Sequence, residues 1–123
     1  MVYSIADVLP GPSPAGVIKR ALAQGIDALP GPAGERSVAV FEHGTLQLKV
    51  YAPRDTDPQQ PHTRDELYFV AQGSGEFLSG GTRILLVAGD ALFVAAGQTH
   101  RFENFSGDFA VWVVFYGVEG GEP

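Results

Sequence analysis

The chain has 123 residues, 45% of them hydrophobic and 18% charged, which fits one globular domain and excludes a disordered chain. Its formal net charge is −6 and no basic stripe interrupts it, so neither nucleic acid nor an anionic membrane surface is an expected partner. Cysteine is absent, which removes disulfides and thiolate ligands and fits a reducing, cytoplasmic setting.

The first twenty residues hold prolines, glycines and an aspartate, with no apolar run of signal-peptide or membrane-span length. "PGPSP" at 10–14 breaks any early element. After Pro14, "AGVIKRALAQG" places Val17, Ile18, Ala21 and Leu22 at helical spacing, with Gly25 as the expected stop. "LPGPAG" at 29–34 is a linker. Residues 1–36 therefore read as an N-terminal arm with one short helix, packed on the domain that follows.

From residue 37 the pattern turns to strands. The first two are "SVAVFEH" and "TLQLKVYA"; in the second, Leu46, Leu48 and Val50 alternate with Gln47 and Lys49, as in a half-buried strand. "ELYFVAQ", "GEFLS" and "TRILLV" follow, and Gly80-Gly81 makes a tight hairpin between the last two. "DALFVA", "THRFENF" and "DFAVWVVFYGV" complete a set of eight. Eight short strands divided by turn residues predict an all-β sandwich or barrel over residues 37–118, with 119–123 as a flexible tail. Residues 109–116, "FAVWVVFY", carry no charge on either face. One face should meet the core, and the other the N-terminal arm or a second subunit in a homodimer.

The chemistry rests on few residues. Of the three histidines, His43 sits at a hairpin tip, "EHGT", and reads as solvated. Alternation in "THRFENF" puts His100, Phe102 and Asn104 on one face and the water-seeking Arg101 and Glu103 on the other. Alternation in "ELYFVAQ" puts Glu66 on the face of Tyr68 and Val70. A buried imidazole and a buried carboxylate both need partners. With His62 they make either a set of two histidines and one carboxylate around a divalent metal, or a buried Glu–His hydrogen-bonded pair without one.

The two segments resemble the paired motifs of the cupin superfamily. His62 stands at the second histidine of the first motif, Glu66 follows after three residues, and Gly73 after six more. Gly89, Gly97, His100 and Asn104 stand at the spacing of the second motif. The chain departs from the pattern at Arg54 (for a glycine), Gln60 (for the first histidine) and Ala95 (for a proline). The resemblance implies a jelly-roll β-barrel and a divalent metal (Fe, Zn, Mn or Ni) held by His62, Glu66 and His100, with Gln60 as a weaker oxygen ligand or the holder of a water. An extended chain would set Arg64 on the side of His62 and Glu66, where it could grip an anion. Tyr68 and Phe102 are the other substrate-contact candidates. The expected activity is that of a metal-dependent enzyme on a small organic molecule, dioxygenase-like, with Glu66 also serving as base. A non-catalytic metal- or ligand-binding module and a metal-dependent isomerase or decarboxylase stand as alternatives.

Overall fold

The computed structural model describes residues 2–58 and 60–123. One helix, α1 (Leu22–Ile26), precedes eight strands: β1 (Ser37–His43), β2 (Leu46–Tyr51), β3 (Asp65–Gln72), β4 (Ser74–Ser79), β5 (Thr82–Val87), β6 (Ala91–Val94), β7 (Arg101–Glu103) and β8 (Ala110–Tyr116). They form a five-stranded sheet in the order β1-β2-β8-β3-β6 and a three-stranded sheet in the order β5-β4-β7, and the strand pairings are all antiparallel. This is a jelly-roll β fold. No helix among the described residues is long and apolar enough to cross a membrane.

The main core lies between the sheets. Tyr68 and Val70 of β3 and Val111, Val113 and Phe115 of β8 meet Phe77 of β4, Leu86 of β5 and Phe102 of β7. Aromatic rings dominate it, and Phe102 makes edge contacts with Tyr68, Phe77 and Phe109 at 5.1, 5.5 and 5.2 Å between centroids. Such edge-to-face pairs add to burial about 0.5–1.5 kcal/mol each. The expected hairpin is present: Gly80 and Gly81 have φ of 55° and 81°, and Ser79 pairs with Thr82 across them.

The outer face of the large sheet has its own apolar cluster. Val38, Val40 and Val50 lie under Tyr3, Leu9, Leu22, Ile26 and Trp112. The arm, one of the two covers expected for β8, shares this cluster with Trp112. The arm also closes an edge. Ile5 N–H donates to the Ala39 carbonyl and Ala39 N–H donates to Tyr3, both at 2.9 Å, so β1 does not end in a row of open backbone groups.

The helix departs from expectation. It spans five residues and starts at Leu22, leaving Val17 65% exposed before it. The preceding stretch is held instead by Arg20, which donates from Nε to the Val40 carbonyl at 2.6 Å and from Nη1 to Pro10 at 2.9 Å. Gly25 does not stop the helix; it is a buried residue inside it. A Cβ there would collide with the Val50 side chain, so glycine is what lets the helix sit on the sheet. The second departure is Asn104. Its φ of 50° ends β7, and its amide donates to the Glu76 carboxylate, so it is exposed and does not share the interior face with His100 and Phe102.

Gly25→Ala should therefore destabilise the fold by about 1–3 kcal/mol in denaturant unfolding, the cost of overpacking. Gly107→Ala, where an added Cβ meets nothing within 4 Å, should change stability by less than about 0.5 kcal/mol.

Candidate functional site

Glu66 is the second residue of β3, which is hydrogen-bonded on both sides; its Cα partners are Val94 on β6 and Phe115 on β8. A central strand leaves its inward residue no route to water, and Glu66 is 1% exposed. His100, 3% exposed, enters from the other sheet just ahead of β7. His62 comes from the loop before β3. Donor atoms of His62, Glu66 and His100 lie within 4.8 Å of one another.

Backbone bonds fix that loop. Gly97 N–H donates to the His62 carbonyl and Gly120 N–H to the Thr63 carbonyl, each at 2.7 Å. The buried Asp65 carboxylate accepts from Ala96 N–H at 2.9 Å and Glu122 N–H at 2.8 Å. These two bonds hold its pKa below the usual carboxylate range. The loop before β7 and the C-terminal residues are thus both tied to the segment that carries His62 and Glu66.

The protonation pattern follows from contacts. His100 Nδ1 donates to the Gln98 carbonyl at 2.8 Å, which turns Nε2 toward Glu66 Oε1 at 3.1 Å and the Tyr68 hydroxyl at 2.9 Å. Burial pulls the His100 pKa down, but the hydrogen bond to Glu66, the Gln98 carbonyl and the nearby carboxylates outweigh it and leave it raised. His62 goes the other way. Its burial, helped by His100 and Lys49, outweighs Glu66 and lowers its pKa, which favours the neutral imidazole that binds metals.

A carboxylate oxygen facing an imidazole nitrogen at 3.1 Å needs a positive charge between them. A proton or a metal ion can supply it. The donor chemistry fits a divalent ion, and so does the second oxygen. Glu66 Oε2 is the one buried side-chain polar atom with no hydrogen-bond partner among the described residues.

Other expected residues take varied places. Gln60 is exposed and lines a cavity of about 420 Å³ whose wall includes His100. Tyr68 is 0% exposed, a core residue whose hydroxyl bonds His100, and Phe102 is 1% exposed at the centre of the aromatic core. Arg64 donates to the Thr45 carbonyl and places its guanidinium carbon 5.9 Å from the Phe115 ring centroid. His43 is exposed at the end of β1.

Two residues near the site escape sequence patterning. Asp57 accepts from Phe102 N–H at 2.7 Å and from the Tyr51 hydroxyl, whose pKa is raised by burial and by this carboxylate. It sits in a loop, where no periodicity marks it. Lys49 is the more instructive. Leu48 and Val50 face the arm, while Lys49, whose Cα pairs with that of core residue Val113, points inward. It lines a small cavity of about 110 Å³ with Tyr51, His62 and Phe115. Burial lowers its pKa, with Glu66 and Glu42 opposing.

The cupin domain family matches residues 47–116, more than half the chain and every residue of the triad. The protein is a cupin. An uncharacterised protein of Streptomyces coelicolor is 40% identical over 60 residues, which is 49% of this chain and 57% of that relative. The cupin thus spans little more than half of that relative's length. Among solved structures, one from Thermus thermophilus aligns with a TM-score of 0.63 at 23% identity, covering 81% of this chain and 98% of its own. A cupin superfamily protein from Desulfitobacterium hafniense aligns with a TM-score of 0.56 at 22% identity, covering 65% of this chain and 74% of its own. At these identities the structures speak for the fold.

Asp65→Ala removes both loop anchors at once. Limited proteolysis with mass spectrometry should find faster cleavage within residues 95–99 and 118–122, and the thermal midpoint should fall. Asp65→Asn, which keeps one acceptor oxygen, should lie between the two proteins.

Proposed function

We propose that this cupin is a divalent-metal-dependent enzyme acting on a small organic molecule, with dioxygenase-like chemistry ahead of isomerisation or decarboxylation. The observation that carries it is Glu66 Oε2, a buried acceptor without a partner, beside a carboxylate–imidazole contact that needs a cation. His62, Glu66 and His100 would hold the metal, with Gln60 as a candidate fourth ligand. Bound there, Fe, Zn, Mn or Ni would supply Lewis acidity, and iron would add reactivity toward O₂.

The chain's own groups do the rest. The Gln98 carbonyl holds the His100 ring in one tautomer, and the ring edge of Phe115, 4.8 Å from the His62 ring centroid, backs the other imidazole. Glu66 is the one carboxylate of the triad, so it is the group that can take a proton from a bound molecule. Cavities of about 420 Å³ beside His100 and about 330 Å³ beside His62 suit a small ligand.

The competing reading is a metal-free barrel in which a proton sits between Glu66 and His100. Elemental analysis of gently purified, metal-reconstituted protein separates the two. About one metal per chain is expected in the wild type and less than about one-tenth in His100→Ala, which removes one of three ligands, and in Glu66→Gln, which replaces an anionic ligand with a weaker neutral amide oxygen. Equally little metal in the wild type would sink the proposal. A fully loaded protein that consumes no member of a broad panel of small substrates, with and without O₂, would instead be a binding module.

A further inference from the structure

A second feature lies beside the triad and is not needed to hold a metal. The cavity of about 330 Å³ next to His62 is lined by Lys49, Thr63, Arg64 and Phe115, among others. Phe115 is its pivot. The Lys49 ammonium lies 5.8 Å and the Arg64 guanidinium carbon 5.9 Å from its ring centroid, and the His62 ring packs against it at 4.8 Å. Two cations and one triad residue therefore gather on a single ring.

Neither cation has a salt-bridge partner within 4.0 Å among the described residues. For Lys49 this is costly, because an inward-pointing ammonium gives up water. The burial that lowers its pKa is the same cost seen from the proton. Arg64 spends Nη1 on the Thr45 carbonyl, which sets the plane of the guanidinium; its other N–H groups make no hydrogen bond among the described residues. One acid, Glu119, stands on the cavity wall, and it is exposed. On the cavity wall alone, two cations less one carboxylate leave a single positive charge, and Glu66 and Glu42 beyond the wall, which also act on Lys49, reduce it further; this matches a monoanion better than a phosphate dianion.

We propose that this cavity binds the carboxylate of a small organic acid, gripped between Lys49 and Arg64, while the rest of the molecule extends past His62 toward Glu66 and His100. This deepens the enzyme proposal and rests on it for the position of the reacting end. The grip itself needs no metal. Charge-assisted hydrogen bonds from an ammonium and a guanidinium favour a carboxylate over a neutral amide of the same shape. Lys49, half-buried and pointing inward, loses part of its hydration, which strengthens its preference for a charged partner.

The test is ligand-observed NMR and calorimetry on the full chain, metal-loaded and metal-free. The probes are glycolate, lactate, pyruvate and levulinate, each paired with its primary amide, and 2-phosphoglycolate. At least one acid should bind about tenfold or more tighter than its amide. Lys49→Met and Arg64→Met should each erase most of that preference while metal content stays at the wild-type level. Equal binding of every acid–amide pair, no binding of any probe, or a preference untouched by both variants would overturn the carboxylate site. Tighter binding of 2-phosphoglycolate than of all the acids would overturn the choice of carboxylate over phosphate. If metal-free and metal-refractory protein still prefers the acids and the variants abolish that preference, the carboxylate site stands and the metal proposal falls.

Discussion

The structure turns on one carboxylate that has no way out. Glu66 is paired on both sides of its strand, so its side chain must end inside the barrel. An ionised carboxylate there is tolerated only with positive charge close by. One oxygen meets His100, and the other has no hydrogen-bond partner among the described residues. Every nearby feature answers to that demand. The Gln98 carbonyl turns His100 to face it, the Tyr68 hydroxyl completes the imidazole's contacts, and His62 is brought within reach in its neutral form.

The fold holds this arrangement from both ends. Below the triad, the aromatic core fixes Tyr68 and Phe102 by ring packing. Above it, the loop that carries His62 depends on backbone bonds to Gly97 and Gly120 and on the Asp65 carboxylate. Neighbouring residues on β3 thus divide the work. Asp65 binds the loop before β7 and the C-terminal residues, and Glu66 turns inward to His62 and His100. The N-terminal arm acts at a distance, covering the outer face under Trp112 and closing the β1 edge.

Much of this is legible from residue order. All eight strands can be read from residue order, with no end shifted by more than two residues, because short apolar and alternating runs between turn residues survive any detail of packing. The inward direction of Glu66 and His100 is legible for the same reason. The helix is not, because Gly25 looks like a stop until Val50 is seen beneath it. Asn104 is misjudged because a single left-handed residue ends the alternation that was extended through it. Asp57 lies in a loop, where only tertiary contact with Tyr51 and Phe102 gives it meaning.

Lys49 fails for a deeper reason. Alternation says that β2 has two faces but not which of them is dry. The rule that apolar residues face the core and polar residues face water assigns Lys49 to solvent. Here the apolar face is claimed by the arm, and the polar face lines the barrel mouth. A strand with a cover on its outer side can therefore afford polar residues inside, and it does so where the barrel meets His62. That inversion puts cationic side chains at the mouth of an acidic protein whose net charge is −6. Against that net charge, two cations beside one cavity are what the proposed carboxylate grip would need to draw a small anion there. The rule breaks where an ordinary half-buried strand would have no use for a lysine, and such breaks mark functional positions more reliably than the residues that obey it.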